Sequence, residues 1–338
     1  MKPAILAALA LAAACLPSAP AFPAAALPDA PTAFAPSVPP PIPARGPETL
    51  KLVFAVSEKD VVIDPTPSRA TTFHAWTFDG AVPGPFVRAR VGDTLEFHLV
   101  NPASSRMAHN VDFHAVNGPG GGSVVTLTPP GRERAARFKL LNPGLYVSHC
   151  AAPPVSWHIA HGMYGLMYVQ PRTPLPPADR EFYVMEGEYY TKRPFGTPGM
   201  QLFDPKAVAR ERPSYVVFNG SVGSMDEQHP LEARVGDRVR LFFGNAGPNL
   251  VSSLHVLGAV FDRVWDDGAT NAPMENVGVV AVPAAGTAIA DFTPREPGNY
   301  YIVDHSMARM DKGAVAVLHV TGKGDPSIYE ALTGTASD

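Results

Sequence analysis

The repeat that decides the fold begins at Phe78-Asp79-Gly80-Ala81-Val82, which returns later in the chain as Phe218-Asn219-Gly220-Ser221-Val222. Two further pairs of segments follow in the same order, at offsets between 140 and 154 residues. They are Arg90-Val91-Gly92-Asp93 with Arg234-Val235-Gly236-Asp237, and Phe138–Tyr146 with Phe292–Tyr300. Three ordered matches indicate duplication, so the sequence predicts two copies of one domain.

Short runs rich in Val, Phe, Thr and Tyr alternate with clusters of Gly, Pro and Asn from about residue 50 onwards. This alternation is typical of β-sandwiches, and we expect an all-β chain of two tandem Greek-key β-sandwiches. The predicted domains cover 48–170 and 181–325, and a C-terminal tail covers 326–338. We expect helices only at 206–210 and 327–332, because an Asp-Pro pair supplies an N-cap and a first-turn proline before each.

The first 21 residues are predicted to be an export signal, because Lys2 precedes an apolar run too short to span a bilayer. Two endings fit this signal: Cys15 after two alanines, as in bacterial lipoproteins, or an Ala-x-Ala cleavage site at 19–21. Both endings predict a protein of the periplasm or outer membrane, and the first adds a lipid anchor on Cys15. The Pro/Ala-rich segment 22–47 is expected to be an extended, semi-rigid linker.

Charge and cysteine usage exclude some classes of function. The formal net charge is -4 and the Lys and Arg residues are scattered, so no nucleic-acid-binding surface is predicted. Once Cys15 is processed or removed, Cys150 has no disulfide partner in an oxidising compartment. Metal ligation explains the survival of such a thiol better than burial alone.

The segment from His149 to Met163 brings a thiolate, an imidazole and a thioether into one short loop, as Cys150, His158 and Met163. Two His nitrogens and one Cys sulfur with a weak axial Met form the ligand set that selects copper for one-electron transfer. This loop supplies three of those four ligands, so the sequence predicts a copper site.

Strand geometry divides the remaining candidate ligands between two sites. Neighbouring side chains on a strand face opposite ways, so Cys150 and His149 should enter different sites. If the chain from His109 to His114 is also a strand, His109 joins Cys150 and His114 joins His149. Asp112 then lies on the same side as His114.

The second domain has no Cys, but it keeps two of the repeated histidines. His305 falls near the repeat position of His149, and His255 aligns with His114. Three His ligands with an open position describe a catalytic metal site, and His114, His149 and His305 would fill one. Asp112 and His255 remain as titratable groups beside the open position, where they suit proton delivery.

The other histidines are interpreted as exposed or hydrogen-bonded side chains, because a His on a strand is more often one of these than a ligand. This group contains His74, His98, His161, His229 and His319.

Together these residues resemble the copper-containing nitrite reductases, which are two-domain cupredoxin proteins. The resemblance covers residues 50 to 325 and is greatest to the subgroup that a lipid attaches to the outer membrane. Its motifs are His109-Asn110-x-Asp112-x-His114, Gly120–Gly122, Pro143-Gly144-x-Tyr146-x-x-His149-Cys150-Ala151, His158-x4-Met163-x-Gly165, Gly247-Pro248-Asn249 through His255, and Asp304-His305 with Lys312-Gly313-Ala314.

The resemblance implies dissimilatory, one-electron reduction of nitrite with two protons to nitric oxide and water. It implies two coppers per chain, and an electron passing between them through the His149-Cys150 peptide. The implied type 1 ligands are His109, Cys150, His158 and Met163, and the implied type 2 ligands are His114, His149 and His305. Asp112 and His255 would supply protons through a shared water.

The resemblance also implies partners. These are a homotrimer in which His305 comes from the neighbouring subunit, and a small electron-donor protein that is either a cupredoxin or a c-type cytochrome. This chain departs from the family at His161, where small polar residues are common. It also lacks the bulky aromatic residue often found after the third His, in 306–312.

Two other classes of function compete with the reductase. A multicopper oxidase needs paired His-x-His motifs for its trinuclear cluster, and the sequence contains none. A non-catalytic electron carrier or surface copper-binding protein needs only one domain and one copper. His305, His255 and Asp112 would then have no purpose, so we expect the reductase.

Overall fold

The computed structural model describes residues 26–333, and the predicted signal with Cys15 lies outside this range. In the described range, 21 strands form four sheets. The strands up to residue 170 are β1 (Thr32–Ala33), β2 (Thr49–Asp64), β3 (Thr71–Phe78), β4 (Phe86–Arg90), β5 (Thr94–Asn101), β6 (Asp112–Phe113), β7 (Arg132–Lys139), β8 (Gly144–His149) and β9 (Tyr164–Gln170). The later strands are β10 (Arg180–Tyr189), β11 (Gly199–Gln201), β12 (Tyr215–Phe218), β13 (Leu231–Arg234), β14 (Val239–Asn245), β15 (Ser252–Leu257), β16 (Phe261–Asp266), β17 (Met274–Val277), β18 (Val279–Val282), β19 (Thr287–Phe292), β20 (Gly298–Asp304) and β21 (Val315–Thr321).

The helices are short. They are α1 (Ser123–Thr126), α2 (Val155–Ala160), α3 (Pro205–Ala209) and α4 (Met307–Met310), with 3-10 segments at Pro67–Arg69 and Pro119–Gly122. Among the described residues, no helix has the length and apolar character needed to cross a bilayer.

The prediction of two tandem β-sandwiches is confirmed. The first sandwich packs the sheet β1-β4-β9-β8-β6 against the sheet β11-β3-β2-β5-β7, and β11 comes from the second half of the chain. The second packs β12-β10-β14-β19-β16-β17 against β13-β21-β20-β15-β18. Each sandwich encloses its own apolar core, and a third apolar cluster joins the two through Phe86, Leu166, Tyr183 and Phe242.

The repeated turn has the same backbone conformation in both domains. Asp79 and Gly80 have φ values of 53° and 75°, and Asn219 and Gly220 have φ values of 47° and 84°. The side chain of Asp79 accepts the backbone N–H of Ala55 at 2.7 Å, and that of Asn219 accepts the backbone N–H of Met185 at 2.8 Å. The sequence repeat is therefore also a structural repeat.

Residues 26–47, the part of the predicted linker and its surroundings that the structure describes, lie along the folded body, mostly on the first domain. β1 pairs with β4. The Ile42 backbone exchanges two hydrogen bonds with the Gln170 amide, at 3.1 and 2.8 Å, and Arg45 makes a bidentate ion pair with Asp93 at 2.7 and 2.9 Å. This part of the segment belongs to the folded body because its few polar groups find partners there.

One of the two predicted helices forms. α3 begins after Asp204, whose carboxylate accepts the N–H of Lys206 at 2.9 Å. The helix predicted at 327–332 is wrong. Asp325 caps a single turn by accepting the N–H of Ser327 at 2.9 Å, but Ile328, Tyr329 and Leu332 are exposed. A short helix in water needs an apolar face to pack, and this segment buries none.

Candidate functional site

The two candidate sites meet at the end of β8. This strand pairs with β9, and His149 is its last residue. Cys150 follows directly, and its backbone N–H donates to the carbonyl oxygen of Met163 at 3.0 Å. The alternation of side chains along β8 turns His149 toward β6 and Cys150 into the core of the first sandwich.

Three donor atoms converge in the first cluster. Cys150 Sγ lies 3.1 Å from His158 Nδ1 and 3.8 Å from His109 Nδ1, and the two Nδ1 atoms are 3.2 Å apart. All three residues are fully buried. His158 lies on α2, and His109 is held by reciprocal backbone hydrogen bonds with Thr128 at 3.1 and 2.7 Å.

Burial controls the protonation of this cluster. It lowers the pKa of His109 to about 4 and that of His158 to about 3, so both imidazoles are neutral ligands near neutral pH. Burial also raises the pKa of the Cys150 thiol to about 11. A bound cation would stabilise the thiolate, which this apolar pocket alone disfavours. Two imidazole nitrogens and one sulfur fit copper.

Met163 completes the set of residues predicted for this site. It is fully buried in the same apolar cluster as Cys150. Its backbone N–H donates to the carbonyl oxygen of His158 at 3.2 Å, so the loop closes on itself between the two residues. The amide oxygen of Asn110 lies 3.6 Å from Cys150 Sγ and accepts the N–H of Ala151 at 2.7 Å. These hydrogen bonds hold the loop in place.

The second cluster contains Asp112, His114 and His149. The Nε2 atoms of His114 and His149 are 3.2 Å apart, and Asp112 Oδ2 lies 3.9 Å from His149 Nε2. His149 Nδ1 donates to the carbonyl oxygen of Cys150 at 3.1 Å, so Nε2 keeps its lone pair when the ring is neutral. The ring of His114 reaches the surface. Partial burial by the surrounding protein nevertheless lowers the pKa of His114, and the nearby His149 lowers this pKa further.

Gly121 makes room for the Asp112 carboxylate. Its φ is 55°, and a Cβ built on it would overlap Asp112 Oδ1 and crowd the carbonyl oxygen of Phe113. A side chain here would therefore displace the carboxylate or strain the backbone. In the sequence, Gly120–Gly122 is recognisable only as a motif. The structure shows a steric reason for glycine at position 121.

His255 and His305 lie together in the second domain, with ring centroids 5.3 Å apart. His255 Nδ1 donates to the carbonyl oxygen of Gly278 at 2.6 Å, which fixes its tautomer. The backbone N–H of His305 donates to Ser253 at 2.8 Å, and its side chain is exposed. Within residues 26–333 of a single chain, His305 joins neither metal-ligating cluster.

The five other histidines have ordinary partners or surroundings. His74 contacts Asp60 at 2.8 Å, His98 contacts Glu133 at 2.6 Å, His229 lies 3.4 Å from Asp226, and His319 contacts Asn299 at 2.8 Å. His161 is buried, and its Nδ1 donates to the carbonyl oxygen of Trp157 at 2.6 Å.

Two features near the first cluster were not predicted. Helix α2 carries His158, although Pro154 precedes it without a side-chain cap. The indole of Trp76 packs against the rings of His158 and His161. Trp76 lies on a strand of the opposite sheet, so only tertiary structure brings it to the segment that carries Cys150 and His158.

The cavities lie mostly elsewhere. A small cavity of about 220 Å³ is lined by His114 together with Tyr146, Asp267 and Thr287. A larger one of about 550 Å³ is lined by residues of the second domain and the C-terminal segment, among them Tyr300 and Tyr329. The larger cavity contains none of the metal-ligating atoms of the two clusters, so cavity volume does not identify the candidate site.

Comparison with known proteins gives a consistent result. A family model described as multicopper oxidase matches residues 62–174. The chain is 46% identical to the copper-containing nitrite reductase of Neisseria gonorrhoeae over 301 residues, which is 88% of this chain and 76% of that protein. It is 33% identical to the copper-containing nitrite reductase of Alcaligenes faecalis over 305 residues, which is 85% of this chain and 80% of that protein.

Comparison with solved structures gives the same family. A solved copper nitrite reductase from Nitrosomonas europaea superposes with a TM-score of 0.73 at 37% sequence identity. The match covers 82% of this chain and 96% of that chain. The similarity therefore extends over most of the chain, including both sandwiches.

Proposed function

This chain belongs to the copper-containing nitrite reductases, and from that premise we propose that it reduces nitrite to nitric oxide. Each nitrite takes one electron and two protons and yields nitric oxide and water. One observation carries the proposal: two clusters of metal-ligating atoms flank the peptide bond between His149 and Cys150. The first cluster suits electron uptake, and the second suits substrate binding.

The Cys150 cluster supports a type 1 copper held by His109, Cys150, His158 and Met163. Copper bound there supplies one-electron transfer. The residues keep both imidazoles neutral and exclude water from the sulfur, because all four side chains are fully buried. That environment preserves the thiol for ligation.

The second cluster supports a type 2 copper held by His114, His149 and His305 of the partner subunit. Copper bound there supplies a Lewis acid for the nitrite oxygens. Only His114 and His149 of these three meet in one chain, so a site of three imidazoles would need His305 from a second copy. A further pair of groups, Asp112 from one side and His255 from the other, would then face the open position.

Exposed apolar side chains flank both halves of this composite site. Val124 and Val125, in the short helix that follows the glycine turn beside Asp112, are 69% and 56% exposed. Near His255 and His305 the exposed apolar residues include Val251, Val279 and Met307. Apolar surface of this kind is typical of interfaces, and joining the two halves would bury both patches.

A contact between unlike surfaces of identical chains generates a ring when its rotation closes. We propose a closed ring of three chains, in agreement with the homotrimer implied by the sequence resemblance. Each chain would contribute His114 and His149 to one type 2 site and His305 to the next.

Asp112 and His255 are the proposed proton donors. Asp112 would donate to nitrite directly, since its carboxylate lies 3.9 Å from the ligand atom His149 Nε2. His255 would return a proton to Asp112 through a shared water. Its Nδ1 is engaged by Gly278, which leaves Nε2 as the nitrogen that can exchange the proton.

The electron would pass from the Cys150 centre to the His149 centre along the chain itself. The shortest covalent route runs through one peptide bond, whose Cα atoms are ~3.8 Å apart. The hydrogen bond from His149 Nδ1 to the Cys150 carbonyl oxygen, at 3.1 Å, adds a second connection between the same two residues.

The test is copper content together with turnover. Purified, copper-loaded protein should contain about two coppers per chain and form nitric oxide from nitrite with a reduced donor. Nitric oxide should appear in proportion to the electrons supplied. One copper per chain without nitric oxide would contradict the proposal and favour a non-catalytic copper carrier.

We further propose that the protein is exported to the periplasm or outer membrane and receives electrons from a cupredoxin or a c-type cytochrome. Mass spectrometry of the mature N-terminus tests the export step. An acylated Cys15, or an N-terminus immediately after Ala21, supports export. Full-length protein that retains Met1 would contradict it.

A further inference from the structure

The metal-binding imidazoles of the Cys150 cluster do not reach solvent. His109 and His158 are 0% exposed, and the Nε2 atom of each is buried without a hydrogen-bond partner. Electronic coupling falls steeply across empty or water-filled gaps and less steeply through atoms in contact. An electron from outside must therefore cross another side chain before it reaches either ligand.

Trp76 is the aromatic side chain that touches both ligands. Its ring centroid lies 4.8 Å from that of His158 and 5.9 Å from that of His109, with interplanar angles of 63° and 68°. Both are edge-to-face contacts at van der Waals distance. Trp76 packs on the core cluster that contains Cys150 and Met163, yet it remains partly exposed. It thus connects the buried ligands with the surface.

His161 fixes the orientation of this indole. The two rings are stacked, with centroids 3.9 Å apart and an interplanar angle of 7°. The backbone N–H of Trp76 also donates to the carbonyl oxygen of His161 at 3.0 Å. His161 is itself held by its hydrogen bond to Trp157 and by the ring of Phe203, 4.4 Å away. Two independent contacts therefore tie Trp76 to the ligand loop.

We propose that Trp76 is the electron-entry residue of the Cys150 centre and that His161 is its positioning residue. The proposal rests on the proposed function in that the centre holds copper. One electron passes from an external one-electron reductant, through the indole, to the bound copper. The reductant is oxidised by one electron and the copper is reduced by one, while no bond forms and no proton moves.

Trp157 is the matched control because it is also partly exposed and directly precedes His158. Its ring packs on Phe203, with centroids 5.5 Å apart. Among the aromatic contacts of residues 26–333, Trp157 pairs with neither ligand imidazole. Removal of this indole changes the aromatic surface near α2 but leaves the contact between Trp76 and the ligands.

The experiment measures bleaching of the copper–thiolate absorption by excess hexaammineruthenium(II), without oxygen or nitrite, in copper-loaded protein. The variants are Trp76→Leu, Trp76→Phe and Trp157→Leu, and the reduction potential of each is determined by titration. At matched driving force, Trp76→Leu should lower the second-order rate constant about tenfold, a clear kinetic difference. Trp76→Phe should retain most of the rate, and Trp157→Leu should match the unaltered protein.

The positioning role of His161 has its own measurement. His161→Asn removes the stacked ring and should slow reduction, whereas His161→Phe restores a ring and should recover the rate. A rate in Trp76→Leu equal to or above that of the unaltered protein would overturn the proposal, as would equal slowing by Trp157→Leu. If Trp76→Leu binds no copper, the His161 pair decides, and equal rates in His161→Asn and the unaltered protein would overturn the proposal. This experiment contains no nitrite and therefore does not depend on turnover. Lack of nitric oxide formation in the separate turnover assay would refute only the proposed function. Lack of any copper–thiolate band would refute both proposals.

Discussion

His149 and Cys150, joined by a single peptide bond, enter two different donor clusters. His149 Nε2 lies 3.2 Å from His114 Nε2, and Cys150 Sγ lies 3.1 Å from His158 Nδ1. The divergence follows from strand geometry at the end of β8. It places one short piece of backbone between the two clusters, to which the proposed function assigns electron uptake and nitrite reduction.

Replacement of His305 should separate the two centres. In His305→Ala we expect copper to fall from about two to about one per chain, since the second site loses one of its three imidazoles. Nitrite reduction should be lost while the visible absorption of the Cys150 centre remains. His319→Ala, on the exposed face of β21, is the control and should keep both coppers. Loss of the absorption in His305→Ala would contradict separate sites.

Asp112→Asn should keep both coppers and lower turnover. The amide preserves the shape of the carboxylate but cannot transfer a proton, and a positioned general acid contributes about 100-fold or more. The steady-state rate should fall by that order, and its dependence on pH should change. A rate equal to that of the unaltered enzyme at every pH would exclude proton delivery by Asp112.

Gly121→Ala tests the space around Asp112 without changing any ionisable group. The new Cβ would overlap the Asp112 carboxylate, and the backbone has a φ of 55° that alanine adopts poorly. We expect a loss of activity, and destabilisation by about 1 kcal/mol or more. Gly118→Ala is the control, because a Cβ there meets nothing within 4 Å. Activity and thermal unfolding of the two variants make the comparison, and equal behaviour would contradict the steric role.

The stability of the second domain should depend on the protonation of Glu186. Burial, followed by the charge of Asp304, raises the pKa of this carboxyl from 4.5 to about 8. The folded protein therefore retains a proton that the unfolded chain releases. The stability from this group is fully present below pH 4.5 and is lost as the pH rises through about 8.

Glu186→Gln removes this titration. The melting temperature of the variant, relative to that of the unaltered protein, should therefore rise as the pH increases from about 6 to about 9. Glu232→Gln, which replaces an exposed carboxyl, should run parallel to the unaltered protein. Parallel curves for Glu186→Gln as well would contradict a raised pKa.

The sequence predicts the main features of the fold because they depend on local patterns. The paired turns at Asp79-Gly80 and Asn219-Gly220 need positive φ values, which few residue types accept. The two turns therefore have similar residues, and the repeat can be recognised from the amino-acid sequence. The divergence of His149 and Cys150 follows from the two-residue period of a strand. The same reasoning separated His109 from His114, although only Asp112–Phe113 between them is a strand.

Other features depend on contacts between distant parts of the chain. Nothing in the proline-rich composition of 26–47 indicates that Ile42 would bind Gln170, a residue 128 positions later. The Asp-Pro pair at Asp325 is the same helix-start pattern as the pair at Asp204. Of the two segments that follow, only α3 buries an apolar residue, Val208. The stack of Trp76 on His161 likewise joins two segments that are far apart in the sequence, β3 and the end of α2, and neither residue is unusual by itself.

Electron spin resonance of the copper-loaded protein tests the central claim most directly. The account predicts two cupric signals in equal amounts, together about two coppers per chain, of which one disappears in His305→Ala. The remaining signal should belong to the centre with copper–thiolate absorption. A single cupric signal per chain, or the loss of both signals in His305→Ala, would contradict two centres connected through His149 and Cys150.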